Sequence, residues 1–311
     1  MSIYQQTNQA LGSQAVITLA IEKSLRQAQP IFDELWQTIY SFDQAYSRFL
    51  SDSELSRFNE RAGENVPVTD DFKQFLVRSK QLAQKTDNLF NPFILPALQR
   101  AGYKHSLADA KRAGPDYSNR HVASPDSLEI GSATARIPGD TALDSGGIGK
   151  GYLLDLLGSL LAKHKTGNYW ISLGGDILVN GSMGESEAWE IDIPNAIDVS
   201  KTVATVTVPA NQQLAIATSG VTKRKGIQHN KAWHHIIDPS TGEPALTDIL
   251  TATVCMPNGV LADVYASCIV TLGTNKYVQF MKTHGIKDVM VQTANGEGVA
   301  IKIHGKRLVH V

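Results

Sequence analysis

The segment Leu143-Asp144-Ser145-Gly146-Gly147-Ile148-Gly149-Lys150-Gly151-Tyr152 is the densest concentration of chemistry in the chain. An apolar approach ends in a carboxylate, a glycine-rich turn follows, and a lysine opens a helix-like run through Leu161. Glycines let a backbone turn sharply and approach a ligand closely. Amides at a helix start point toward negative charge, and Lys150 adds a mobile cation. The spacing is neither a Walker loop nor G-x-G-x-x-G. From the motif alone, an anion site and a tight packing turn both stay open.

Three further segments offer reactive groups. In Ala262-Asp263-Val264-Tyr265-Ala266-Ser267, a helix would put Asp263 and Ser267 on one face. A carboxylate beside a hydroxyl is a partial site for a hard cation such as Mg²⁺. The plainer reading is an Asp in a first helical turn, where the helix dipole favours it. In His234-His235-Ile236-Ile237-Asp238-Pro239-Ser240-Thr241-Gly242, a Pro-Gly turn follows two histidines. An extended backbone turns neighbouring side chains to opposite faces, so only one His can serve a cleft as a base. With no Cys and no i, i+4 partner, the pair is weak evidence for a transition metal. Ser172-Leu173-Gly174-Gly175-Asp176 follows a strand and reads either as a backbone approach to a ligand or as a plain glycine connection, while Ala217-Thr218-Ser219-Gly220 offers two hydroxyls beside a glycine. No Ser-His-Asp arrangement is supported by spacing.

These segments need elements to hold them. Residues 14–21 are rich in strand formers. Residues 30–49 carry an apolar stripe at helical steps, from Phe32 through Leu35, Ile39, Phe42 and Tyr46 to Phe49. Ser51 with Glu54 reads as a capping box for a short helix ending at Gly63. Thr69 reads as the cap of a helix carrying Phe72, Phe75, Leu76, Leu82 and Ala83. A hairpin is expected at 127–137, and strands at 169–173, 177–179, 188–193, 202–208, 213–217 and 250–256. Helices are expected at 260–272 and 275–283, and short strands at 286–293, 298–304 and 307–311. Strands come in runs rather than alternating with helices, so the fold class is α+β, with mixed, largely antiparallel sheets and flanking helices. No linker or repeat breaks the chain. Residues 1–311 therefore read as a single two-lobed domain.

Composition narrows the function classes. The 311 residues are 42% hydrophobic and 19% charged, with a formal net charge of −1. That balance gives no reason to expect nucleic acid or a membrane surface as partner. Lys223-Arg224-Lys225 is too short to change this and reads as a solvated loop. Cys255 and Cys268 stand among apolar neighbours without a C-x-x-C pattern, and read as buried reduced thiols. No signal peptide or membrane span is visible, so the expected compartment is the cytoplasm.

Taken in chain order, the segments resemble one family closely. They are Tyr46-Ser47-Arg48-Phe49, Ser53-Glu54-Leu55-Ser56-Arg57-Phe58-Asn59, Leu89-Phe90-Asn91-Pro92, the glycine loop 144–151, Ser172–Asp176, Ala217–Gly220, His235–Gly242 and Ala262–Ser267. The pattern is similar to that of the ApbE family, the FAD:protein FMN transferases, over almost the whole chain. The resemblance implies an enzyme that takes FAD as substrate. With Mg²⁺ it attaches FMN to a Thr or Ser hydroxyl of an acceptor flavoprotein and releases AMP. It implies metal ligands at Gly147 (through its carbonyl), Asp263 and Ser267. FAD contacts fall at Leu11, Ser47, Arg48, Phe49, Leu89, Phe90, Asn91, Asp144, Lys150 and Ile237, and the catalytic base at His235. Three positions depart from the family pattern. Asn91 stands for the common Asp, Ser267 for the usual Thr, and Leu11 for a Met. The acceptor pattern D-x-x-[ST]-G-A-[ST] is absent from this chain, so it is not read as its own target. Two alternatives remain: an Mg²⁺-dependent FAD pyrophosphatase giving FMN and AMP, and a non-catalytic FAD-binding protein.

Overall fold

A computed structural model of the chain describes residues 1–106, 109, 111–184, 188–228, 230–294 and 298–300. The fold is α+β, with helices and mainly antiparallel sheets. Its backbone contacts divide it into two units. The first comprises Met1–Ser41, Lys150–Thr222 and the chain from Asp248 onward; the second comprises Phe42–Gly149 and Lys223–Thr247.

The first unit is built on an eight-stranded antiparallel sheet. Its strands are Ser2–Ala10, Ser13–Ile21, Tyr169–Leu173, Asp176–Asn180, Gln213–Gly220, Ile249–Met256, Asp288–Thr293 and Gly298–Ala300. Each strand neighbours the next in chain order, so the sheet is a meander interrupted by insertions. The first strand was missed in the sequence because its polar residues face solvent on an edge. The expected strand at 14–21 is present as Ser13–Ile21. The hairpin Trp189–Pro194 with Thr202–Val208 alternates buried and exposed residues, as a half-buried strand must. Trp189, Ile191, Ile193, Val206 and Val208 join Ile177, Val179, Leu214, Ile216, Cys255 and Met290 in one apolar cluster. Helix Gly259–Leu272 packs across strands Gln213–Gly220 and Ile249–Met256. It is buried over most of its length, as its nearly continuous apolar sequence requires. The expected strand 307–311, and 298–304 beyond residue 300, lie outside the described residues.

The second unit centres on aromatic packing. Tyr46 stacks on Phe42 at 4.3 Å and meets Phe75 at 4.8 Å, while Phe58 meets Phe72 edge-on at 5.4 Å. Helix Asp70–Lys85 begins where expected, with the Thr69 hydroxyl accepting from the Phe72 amide at 3.2 Å. The neighbouring cap differs from the Ser51–Glu54 box. Ser53 caps helix Glu54–Glu60, accepting from the Ser56 amide at 3.0 Å. Glu54 instead accepts from the amide and hydroxyl of Thr69, both at 2.9 Å. Its carboxylate serves the next helix rather than its own.

Helix Leu25–Tyr46 also begins earlier than expected. Gln27 Oε1 accepts from the Ser24 amide at 3.0 Å, a capping box S-x-x-Q that the apolar stripe masked. Pro30 sits inside this helix instead of starting it.

Candidate functional site

In the first unit, two helices meet at their N-terminal ends. The Gly151 amide donates to Asp263 Oδ2 at 3.0 Å. In return, the Gly259 and Val260 amides donate to Asp155 at 2.6 and 3.1 Å. Asp263 is buried, one turn before Ser267 on helix Gly259–Leu272. The Ser267 hydroxyl donates to the Val264 carbonyl at 2.8 Å, which leaves its oxygen lone pairs available. Two hard oxygens of this kind fit Mg²⁺, which is usually held by one or two protein oxygens plus waters and substrate phosphates. No cluster of three or more His, Cys, Asp or Glu stands together among the described residues. A magnesium site of this type does not call for one.

Lys150 forms an ion pair with Asp176, a carboxylate left only 3% exposed. Asp176 also accepts from the Thr218 amide at 3.1 Å, and the Thr218 and Thr253 hydroxyls share a 2.8 Å hydrogen bond. The segments around Asp176 and Thr218 thus converge on the lysine of the glycine loop. Gly174 and Gly175 form the two-residue turn between paired strands, both at positive φ, so there the connector reading holds. Leu11 occupies the corresponding turn of the first hairpin, at φ 54 with Gly12 at φ 70. That conformation suits Asn or Gly and strains a leucine.

In the second unit, Asn59 grips the chain just before the glycine loop. Its side-chain amide donates to the Leu143 carbonyl at 2.9 Å and accepts from the Leu143 amide at 2.8 Å. Asp144 then accepts from the Gly146 amide at 3.0 Å, and the Ser145 carbonyl accepts from the amides of Ile148 and Gly149. At those three positions the amides are taken up within the loop, as the packing-turn reading has it. A Cβ at Gly147 would lie 3.4 Å from the Phe90 ring, so the loop passes close to that ring.

Arg48 Nε lies 3.2 Å from Asp144 Oδ1, and Arg48 Nη1 donates to the Tyr103 carbonyl at 3.2 Å. The guanidinium sits 4.3 Å from the Phe49 ring centre and 4.5 Å from that of Tyr103. The contact with Asp144 has ion-pair distance without hydrogen-bond alignment. Arg48 Nη2 and Asp144 Oδ1 are both buried with no hydrogen-bond partner among the described residues. Buried polar atoms left this way are costly unless a ligand or water completes them.

Asn91 is buried and uses both ends of its amide, accepting from the Phe93 amide at 2.8 Å and donating to the Ala123 carbonyl at 2.9 Å. An Asp could not make the second bond, which gives the Asn a structural reason of its own. Leu89 and Ser47 are half-buried. The Ile237 side chain packs with Ala97 and Leu98.

His235 is half-buried; its amide donates to the Arg224 carbonyl at 3.0 Å, and its ring meets Tyr103 edge-on at 6.2 Å. His234 ends strand Lys231–His234, and burial pushes its imidazole below the ordinary value. The following turn is built as expected, with Asp238 accepting from the Ser240 amide and hydroxyl. Both cysteines are buried free thiols, and burial pushes Cys255 up to about 12.

Asp155 is the residue the sequence reading passed over. Its signal was a lone carboxylate inside the run Leu153-Leu154-Asp155-Leu156-Leu157.

The model of the ApbE family matches residues 11–290. The chain belongs to the ApbE family. An FAD:protein FMN transferase of Klebsiella pneumoniae is 27% identical over 277 residues, 82% of this chain and 75% of that relative. The crystal structure of the ApbE protein from Thermotoga maritima superposes with a TM-score of 0.81 at 19% identity, covering 97% of each chain. The apo flavinyl transferase ApbE of Pseudomonas stutzeri gives 0.80 at 21% identity, covering 99% of this chain and 98% of that one. Both structures share the ApbE fold with this chain. No helix among the described residues is long and apolar enough to cross a membrane.

Proposed function

We propose that this chain is an Mg²⁺-dependent FAD:protein FMN transferase that attaches FMN to a Thr or Ser hydroxyl of an acceptor protein and releases AMP. The observation that carries this reading is the likeness, over 82% of the chain, to a relative named for that activity. Two features of the site agree with it. Asp263 and Ser267 offer a magnesium ion oxygen donors, with the Gly147 carbonyl as the third expected ligand. Arg48 Nη2 is a buried donor with no hydrogen-bond partner among the described residues, suited to a polar edge of FAD. Leu11, Ser47, Phe49, Leu89, Phe90, Asp144, Lys150 and Ile237 complete the proposed FAD contacts, with Asn91 contributing through its place beside Phe90.

Bound magnesium would offset charge on the pyrophosphate. The acceptor hydroxyl oxygen bonds to the FMN-side phosphorus while the bond from that phosphorus to the AMP oxygen breaks. His235 takes the hydroxyl proton, a role worth about 10²–10⁴-fold in rate. Lys150, paired with Asp176, would offer its cation to the departing phosphate.

The test is direct. The protein is incubated with FAD, Mg²⁺ and a peptide bearing the family's acceptor pattern, and the peptide is weighed. A gain of one FMN residue is expected. An unmodified peptide alongside accumulating FMN and AMP would reject transfer in favour of hydrolysis.

A further inference from the structure

We infer that Asp155 is a positioning residue for Asp263, given the reading of Asp263 and Ser267 as holders of a divalent cation. Helices Gly149–Lys163 and Gly259–Leu272 each give a carboxylate to the other's first turn. Asp155 accepts the Gly259 and Val260 amides, and Asp263 accepts the Gly151 amide. Helix starts carry partial positive charge, so two of them brought together repel unless anions lie between them. The two aspartates supply those anions.

The contact is also close in a way that only glycine permits. A Cβ on Gly151 would stand 2.4 Å from the Gly259 carbonyl oxygen, and one on Gly259 would stand 2.5 Å from that of Gly151. Asp263 lies one turn past Gly259. The angle at which its carboxylate is held therefore follows from how tightly Asp155 draws the two helix starts together. Asn258 offers an internal contrast. It caps the same helix through the Leu261 amide at 3.1 Å, within its own segment and without a bond to the other helix. Loss of Asn258 should weaken the helix, whereas loss of Asp155 should misplace the ligand.

Mn²⁺ alone is the probe, its bound fraction read by electron paramagnetic resonance on the full chain. Asp155→Asn keeps the shape but offers one acceptor oxygen for two amides. It is expected to weaken Mn²⁺ binding about 10-fold or more, the usual cost of losing a partner that orients a metal ligand. Asn258→Ala is expected to lower the unfolding temperature and leave Mn²⁺ affinity unchanged. Should Asp155→Asn fail to fold, Gly259→Ala forces the helix starts apart with every carboxylate in place, and the same weakening is expected. Wild-type affinity in the folded Asp155→Asn or Gly259→Ala protein, with binding lost in Asp263→Ala, overturns the positioning role and leaves the metal assignment standing. Wild-type affinity in Asp263→Ala overturns both. Equal weakening in Asn258→Ala and Asp155→Asn also overturns the positioning role, because general loosening of the helix would then suffice.

Discussion

Asp263, as a proposed metal ligand, and Leu11, in a strained turn, make predictions at single residues of the first unit. Asp263 is a buried carboxylate that accepts from the Gly151 amide, and as a proposed metal ligand its replacement in Asp263→Ala is expected to abolish FMN transfer while the chain stays folded. Transfer assays beside circular dichroism check this, and full activity in the variant would remove the metal assignment. Leu11 sits at φ 54, where an L side chain with a bulky Cβ substituent is strained by about 1–2 kcal/mol. Leu11→Asn is expected to raise the unfolding temperature by about 2–4 °C and to weaken FAD binding; thermal melts with and without FAD report both. His234 carries a pH dependence. Its folded value is lowered from 6.5 by burial, against smaller opposing hydrogen bonds. As pH falls through 6.5 the unfolded chain takes up the proton first, so the stability His234 supports is intact above that pH and is lost below it. His234→Phe is expected to flatten the fall in unfolding temperature below that pH; an unchanged slope would place the titration elsewhere.

Helix caps and ion pairs act one level up, where segments are tied to one another. Ser53 holds the start of helix Glu54–Glu60, and Ser51 does not. Ser53→Ala is expected to cost about 1 kcal/mol in denaturant unfolding and Ser51→Ala almost nothing. The reverse order would restore the Ser51–Glu54 box. Asp176 joins strand Asp176–Asn180 to Lys150 and to the Thr218 amide. Asp176→Ala leaves both donors without this acceptor and is expected to cost about 3–5 kcal/mol. These two cases show where legibility ends. The Thr69 cap could be read because its hydroxyl answers an amide three residues away. Glu54 could not, because its partner is Thr69, fifteen positions on, while a local box looked equally good. Likewise the glycine loop was legible as a turn. The partners of its amides depended on Asp144 and Ser145 folding back on the loop, and that of Gly151 on Asp263 from a distant helix. The partners of Asp155, on a helix some hundred residues on, were hidden for the same reason.

At the scale of the whole molecule, most elements of the α+β fold were legible because strand runs and helical stripes are local patterns. Two lobes were expected as well, but the points where the chain passes between the two units were not legible. The chain crosses between them inside helix Leu25–Tyr46, at the start of helix Gly149–Lys163, and at the short connections Thr222–Lys223 and Thr247–Asp248. None of these is a flexible, polar linker of the kind that marks a boundary in sequence. The meander of the large sheet was hidden as well, since its third strand lies some 150 residues beyond its second. The central claim is that this chain moves FMN onto a protein hydroxyl instead of releasing it to water. Its most direct measurement is the ratio of AMP formed to FMN attached, taken by chromatography and intact mass in one reaction with FAD, Mg²⁺ and acceptor. The account predicts one AMP for each FMN on the acceptor, with both lost in Asp263→Ala. AMP accompanied by free FMN and an unmodified acceptor would contradict it.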